Sequence, residues 1–238
     1  MDQLLTSEGL VSLVTLTFLE IVLGIDNIVF ISLTTGRLPL KDQGKARTTG
    51  ILLALIGRIA LLFGVSWMIS LEKPVLHLAG FNFSYRDLIL ILGGLFLIGK
   101  STSEIHARIE GIVERKKEQN VMTMRSAIIQ ILLLDLIFSL DSILTAVGLV
   151  DSVLIIIIAI VIALGVMVIF AKKISAFIHQ HPAMKLLALA FLILIGTVLV
   201  IEGFQIHIPK GYIYFAMAFA LGIEMLNIKI RKKEGKRV

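Results

Sequence analysis

Seven apolar runs, each long enough to cross a bilayer as a helix, fix most of what this chain can become. They cover about 10–34, 48–71, 87–103, 126–150, 152–171, 185–201 and 211–228, at roughly 20 residues per crossing. Backbone N–H and C=O groups find no water in hydrocarbon, so segments like these close their hydrogen bonds internally as helices. The expected fold is all-α: a polytopic membrane bundle of seven transmembrane helices. The third run is the least clean, because Lys100 interrupts it. Composition agrees: 57% of residues are hydrophobic and 17% charged, against about 25% charged in soluble domains. Mean hydropathy is +0.96. In 238 residues there is space for one transmembrane domain and no second soluble one.

The basic residues orient the bundle. Arg37, Lys41, Lys45 and Arg47 follow the first run, and Arg108, Arg115, Lys116, Lys117 and Arg125 follow the third. Lys172 and Lys173 follow the fifth, and Lys229, Arg231, Lys232, Lys233, Lys236 and Arg237 close the chain. The alternate connections are poor in Lys and Arg. By the positive-inside bias the N-terminus is outside and the C-terminus cytoplasmic, which requires an odd number of spans. The same placement accounts for the net charge of +6 without invoking nucleic acid, for which there is no motif or aromatic interleaving. Without cysteine, disulfides and thiolate metal sites are excluded. Met1-Asp2-Gln3 is not a basic leader, so the first span is expected to act as its own insertion signal.

Within this apolar sequence one acidic motif occurs twice. The first copy is Leu19-Glu20-Ile21-Val22-Leu23-Gly24-Ile25-Asp26-Asn27-Ile28, and the second is Leu134-Asp135-Leu136-Ile137-Phe138-Ser139-Leu140-Asp141-Ser142-Ile143. In each, a carboxylate is followed six residues later by an aspartate and then a small polar residue. Ionisable groups at membrane depth are costly and mark pathways or binding sites. At ~1.5 Å per residue, Glu20 and Asp135 both lie roughly 15 Å into their spans, near the midplane. Span one runs inward and span four outward, so the copies enter from opposite faces. Spans one to three (about 10–103) and four to six (about 126–201) read as inverted repeats, with 211–228 as an extra helix. Phe96-Leu97-Ile98-Gly99 and Leu192-Ile193-Leu194-Ile195-Gly196 fall at corresponding places. A polar midplane site between inverted repeats is the plan of many secondary transporters.

Positions six apart on a helix diverge by about 120°, whereas positions seven apart share a face. Glu20 therefore pairs with Asn27, and Asp135 with Ser142. For Asp26 and Asp141 to join them, the helices are expected to break or bulge at Gly24 and at its counterpart Ser139, freeing backbone carbonyls as further ligands. The candidate metal ligands are thus Glu20, Asp26, Asn27, Asp135, Asp141 and Ser142. Such an oxygen-only set suits hard divalent cations: Mn²⁺, Ca²⁺ or Mg²⁺. Cation binding that expels protons would give a route to proton exchange.

Arg58, inside span two, is expected to pair with acids of the membrane interior. Lys100 is expected to snorkel. Glu104, Glu202 and Glu224 are expected to be solvated near span ends, His179-Gln180-His181 to be a solvated loop, and Ile155–Ile158 to face lipid.

At the two motifs the sequence resembles the TerC family of bacterial and plastid integral membrane proteins. The matching residues are Glu20, Gly24, Asp26, Asn27 and Ile28, then Asp135, Ser139, Asp141 and Ser142, and span number, length and the basic loop around 104–125 also fit. The resemblance implies Mn²⁺ efflux from the cytoplasm across the inner membrane, as in the wider LysE group of exporters, with the motif acids as the metal site and no prosthetic group. It also implies links to tellurium resistance and a secretion-machinery partner. A tellurite oxyanion fits poorly with so acidic a site. Two other classes compete. An intramembrane aspartyl protease needs Gly-x-Gly-Asp, and Gly24-Ile25-Asp26 lacks the second glycine, so no enzyme is expected. A non-transporting scaffold or assembly factor has no need to bury four acids.

Overall fold

The backbone in the computed structural model is described for residues 6–65, 69, 71, 73–78, 81–110, 122–150 and 152–234, and the side chains at 25, 26, 78, 81, 141 and 232–234 fall outside the description. Seven helices long and apolar enough to cross a membrane are present among the described residues. They are α1 (Ser7–Thr35), α2 (Leu40–Phe63), α3 (Tyr85–Ile109), α4 (Met124–Leu149), α5 (Val153–Gln180), α6 (Pro182–Gly203) and α7 (Lys210–Glu234). Of the residues that orient the bundle, Arg115, Lys116, Lys117, Lys236 and Arg237 lie outside the described residues.

The helix starts follow local chemistry. The Thr6 hydroxyl accepts from Gly9 N (3.1 Å) to open α1, and Thr123 accepts from Ser126 N (3.3 Å) to open α4. Ser84 and Asp87 exchange two hydrogen bonds at the start of α3, Asp87 N to Ser84 Oγ and Ser84 N to Asp87 Oδ2. Each satisfies N–H groups that the first turn leaves orphaned. Pro182 stands at the start of α6, where its missing N–H costs nothing.

Two departures from the sequence reading concern the element list. A short hairpin, β1 (Pro74–Leu78) and β2 (Phe81–Ser84), precedes α3 as an addition to the all-α bundle. Its alternating, β-prone residues form a ladder, and Phe83 meets Phe204 edge-on at 5.6 Å. The second helix begins at Leu40 and ends at Phe63, not at 48–71. Its first two turns carry Lys41, Asp42, Lys45 and Arg47, a polar start that continues the helix beyond its apolar stretch.

The chain forms two compact units. One comprises α1, α2, α4 and most of α5. Here α4 packs on α2 and α1, and α1 on α2, around Leu16, Ile28, Ile31, Ala54, Ile131, Leu134 and Ile143. Ile155 and Ile156, expected to face lipid, are buried at 2% and 1% exposure. Because α5 is apolar on every side, hydropathy carries no record of which face packs.

The other unit comprises the hairpin, α3, α6 and α7, with α3 and α6 in the most extensive packing. Their backbones meet at two glycines. A Cβ added to Gly94 would lie 2.4 Å from the Gly196 carbonyl oxygen, and one added to Gly196 would lie 2.8 Å from that of Gly94. Small residues permit this approach, from which membrane helices gain their packing energy. Each unit exposes large apolar side chains, Val14, Phe18, Ile56, Phe63 and Ile169 in the first and Leu92, Phe215 and Phe219 in the second, as suits a hydrocarbon solvent.

Candidate functional site

The two motif copies face each other inside the first unit. Glu20 and Asn27, seven residues apart, present one face of α1, and Asp135, Ser139 and Ser142 present one face of α4. All five side chains are buried. Between them stands Arg58 of α2, 3% exposed. Its Nη1 donates to Glu20 Oε2 at 2.7 Å. Its Nη2 donates to Asp135 Oδ1 at 2.7 Å, and its Nε reaches Asp135 Oδ1 and Oδ2 at 3.2 and 3.3 Å. A rigid guanidinium fork matches this two-carboxylate geometry as an ammonium would not.

The remaining polar groups close the network. Asn27 Nδ2 donates to Asp135 Oδ1 at 3.2 Å. The Ser139 hydroxyl donates to the Asp135 carbonyl and approaches its Oδ2 at 3.3 Å. The Ser142 hydroxyl donates to the Ser139 carbonyl at 3.4 Å. Of the six residues read from the sequence as ligands, Glu20, Asn27 and Asp135 therefore come together around Arg58, and Ser142 is buried on the face of α4 that carries Asp135. Asp26 and Asp141 lie on α1 and α4, but their side chains fall outside the described residues. Among the described residues, no three His, Cys, Asp or Glu side chains form a metal-holding group.

Two corrections follow. Both helices run unbroken past Gly24 and Ser139, so neither position is a break that frees carbonyls. Gly24 is instead a packing contact, where a Cβ would come 1.8 Å from Met167 Cε of α5. Ser139 turns its hydroxyl back to the carbonyl four residues earlier, a bond compatible with a continuous helix. The second correction is to the surroundings of the ligand oxygens, which enclose a guanidinium that the ligand set did not include. The expected pairing of Arg58 holds, and it engages both described acids at once. Its signal was in the sequence: a permanent charge within Leu55-Ile56-Gly57-Arg58-Ile59-Ala60 has to meet carboxylates somewhere at the same depth.

Of the peripheral acids, Glu104 pairs loosely with Arg108 (3.8 Å), and Glu224 accepts from Asn227 (3.2 Å). Glu202 is buried at 7% exposure rather than solvated. His179 and Gln180 are exposed but form the last turn of α5 rather than a loop, because the helix continues to the residue before His181-Pro182.

The profile of the family described as integral membrane protein TerC matches residues 5–237. The chain belongs to the TerC family. Among its relatives, the UPF0053 inner membrane protein YgdQ of Escherichia coli is 52% identical over 92% of both chains. A UPF0053 protein of Haemophilus influenzae is 48% identical over 94% of this chain and 95% of its own. The UPF0053 protein YegH of Escherichia coli is 45% identical over 90% of this chain, which spans only 41% of it. No solved structure matches the chain. With seven candidate spans and relatives named as inner membrane proteins, this TerC protein is a multi-pass protein of the inner membrane.

Proposed function

We propose that this TerC protein is a secondary transporter that exports divalent cations, with Mn²⁺ the preferred cargo, from the cytoplasm through the carboxylate cluster of α1 and α4. One observation carries the reading: the two copies of the acidic motif converge on a single buried network through Arg58, Glu20 and Asn27 from one and Asp135 from the other. A structural protein has little use for that much buried charge, which costs several kcal/mol per ion before compensation. The donors are oxygens, which favour hard cations over Cu(I) or Zn²⁺. Asp26 and Asp141 would supply further carboxylates, with Glu20, Asn27, Asp135 and Ser142 completing the metal site. Neither a prosthetic group nor enzymatic chemistry enters this reading.

Related motifs on helices of opposite expected direction support an inverted repeat. The distribution of Lys and Arg supports an outside N-terminus and a cytoplasmic C-terminus. Mn²⁺ and the outward direction rest on the resemblance of the motifs, as does a secretion-machinery partner. Proton exchange is the natural counter-movement. The second reading is a non-transporting scaffold or assembly factor that serves metal supply of exported proteins or tellurium resistance. Mn²⁺ flux in sealed proteoliposomes with an internal pH dye separates them. Flux is expected in the native chain and lost in Asp26→Asn and Asp141→Asn, with opposite proton movement. Flux without a pH signal removes proton exchange and keeps the carrier. Folded native protein that moves no Mn²⁺, Ca²⁺ or Mg²⁺ moves the assignment to the scaffold.

A further inference from the structure

The contacts of Arg58 are distributed unevenly. Asp135 is saturated: its Oδ1 receives Arg58 Nη2 at 2.7 Å, Arg58 Nε at 3.2 Å and Asn27 Nδ2 at 3.2 Å, while its Oδ2 faces Arg58 Nε at 3.3 Å and Ser139 Oγ at 3.3 Å. Glu20 receives a single Arg58 bond, at Oε2. One guanidinium thus places a single positive charge on two carboxylates, gripping one by its fork and touching the other with one N–H. The fork side is hard to displace, because a bidentate charge-assisted pair is stronger than a single bond. The single contact to Glu20 is the weaker of the two.

We propose that Arg58 is a tethered counter-cation that competes with the transported ion for Glu20. It stays anchored on Asp135, neutralises Glu20 when no cargo is bound, and gives up Glu20 when a divalent cation arrives. Arg58 thereby sets the affinity of the site and keeps it weak enough to release what it binds. A cluster with two uncompensated carboxylates would hold a divalent ion too tightly to turn over, and would be costly to leave vacant at membrane depth. The guanidinium suits the task because it carries its charge at every physiological pH, so competition for Glu20 does not depend on a proton. This inference rests on the transport reading above.

The test is Mn²⁺ binding to the full chain in lipid nanodiscs, read as depletion of the free-ion electron paramagnetic resonance signal with MnCl₂ as the sole probe. Arg58→Met is expected to tighten binding about tenfold or more, since it removes a positive charge within a few ångströms of the ligands. Arg58→Lys keeps the charge but not the fork, and is expected to tighten binding by a smaller factor. Arg58→Met with Glu20→Gln should fall back to native affinity or below. Lys45→Gln removes a charge far from the cluster and should change nothing. In proteoliposomes the tight-binding Arg58→Met should carry Mn²⁺ more slowly than the native chain.

Folded Arg58 variants whose affinity is unchanged or weaker overturn the proposal and make Arg58 a structural pin. Should Arg58→Met fail to fold, Arg58→Lys decides alone, with unchanged or weaker binding counting against. Free guanidinium ion added to Arg58→Ala supplies a further reading, expected to weaken Mn²⁺ binding there and not in the native chain. Native protein that binds Mn²⁺ while the variants do not differ from it removes this inference and leaves the transport reading. Binding in neither the native chain nor the variants removes both.

Discussion

The two units of this protein hold their helices together by opposite means. In the first, α1, α2 and α4 meet around a guanidinium and two carboxylates, all buried. In the second, α3 and α6 meet backbone to backbone across Gly94 and Gly196. Small-residue packing is the economical way to join helices in lipid, where no hydrophobic effect drives them together. A buried ionic cluster is an expensive way: its Coulomb gain is largely offset by desolvation, and a well-packed apolar replacement is often as stable. That the motif unit retains the expensive solution is an argument that the charges serve something other than stability. The glycine contact, by contrast, is explained completely by packing.

The sharpest way to break the comparison is Asp135→Ala. It removes the fork partner of Arg58 and leaves Glu20 as its one carboxylate among the described residues, so a loss of about 3 kcal/mol is expected, together with abolished flux. Unfolding in graded detergent denaturation, alongside proteoliposome flux, measures both. Gly94→Ala comes next. Its new methyl would press on the Gly196 carbonyl and on Val200, which are mostly backbone and yield little, for an expected cost of about 1–3 kcal/mol. Flux per folded molecule should stay near native. If Gly94→Ala abolishes flux in folded protein, the division of labour between the units is wrong. The smallest effect is expected from Ser139→Ala, which loses one short-range hydrogen bond beside Asp135, about 0.5–1 kcal/mol, with flux reduced rather than lost.

Much of this was legible in the chain. Hydropathy located all seven spans, because length and apolarity are the whole requirement for crossing a bilayer. The seven-residue spacing put Glu20 with Asn27 and Asp135 with Ser142 on shared faces, and the structure joins those faces. What the sequence did not disclose depends on partners distant along the chain. Gly24 reads as a weak point in a helix until Met167 is seen filling the space beside it. Arg58 reads as a charge in need of a partner, but neither its spacing nor its neighbours say that it takes two. The start of α2 was missed because its polar turns lie outside any apolar window. The hairpin at 74–84 was missed because it is short and sits between two strong helical signals. Burial of Ile155 and Ile156 was illegible for the opposite reason, since a helix apolar all round has no preferred face.

The account's central claim is that the convergent motifs form the cation site. The most direct measurement is the anomalous scattering of Mn²⁺ in crystals of the native chain soaked in MnCl₂. The account predicts a peak in the first unit, within roughly 2.6 Å of carboxylate oxygens drawn from both α1 and α4. A peak held by residues of other helices, or none in protein that still transports, would contradict it.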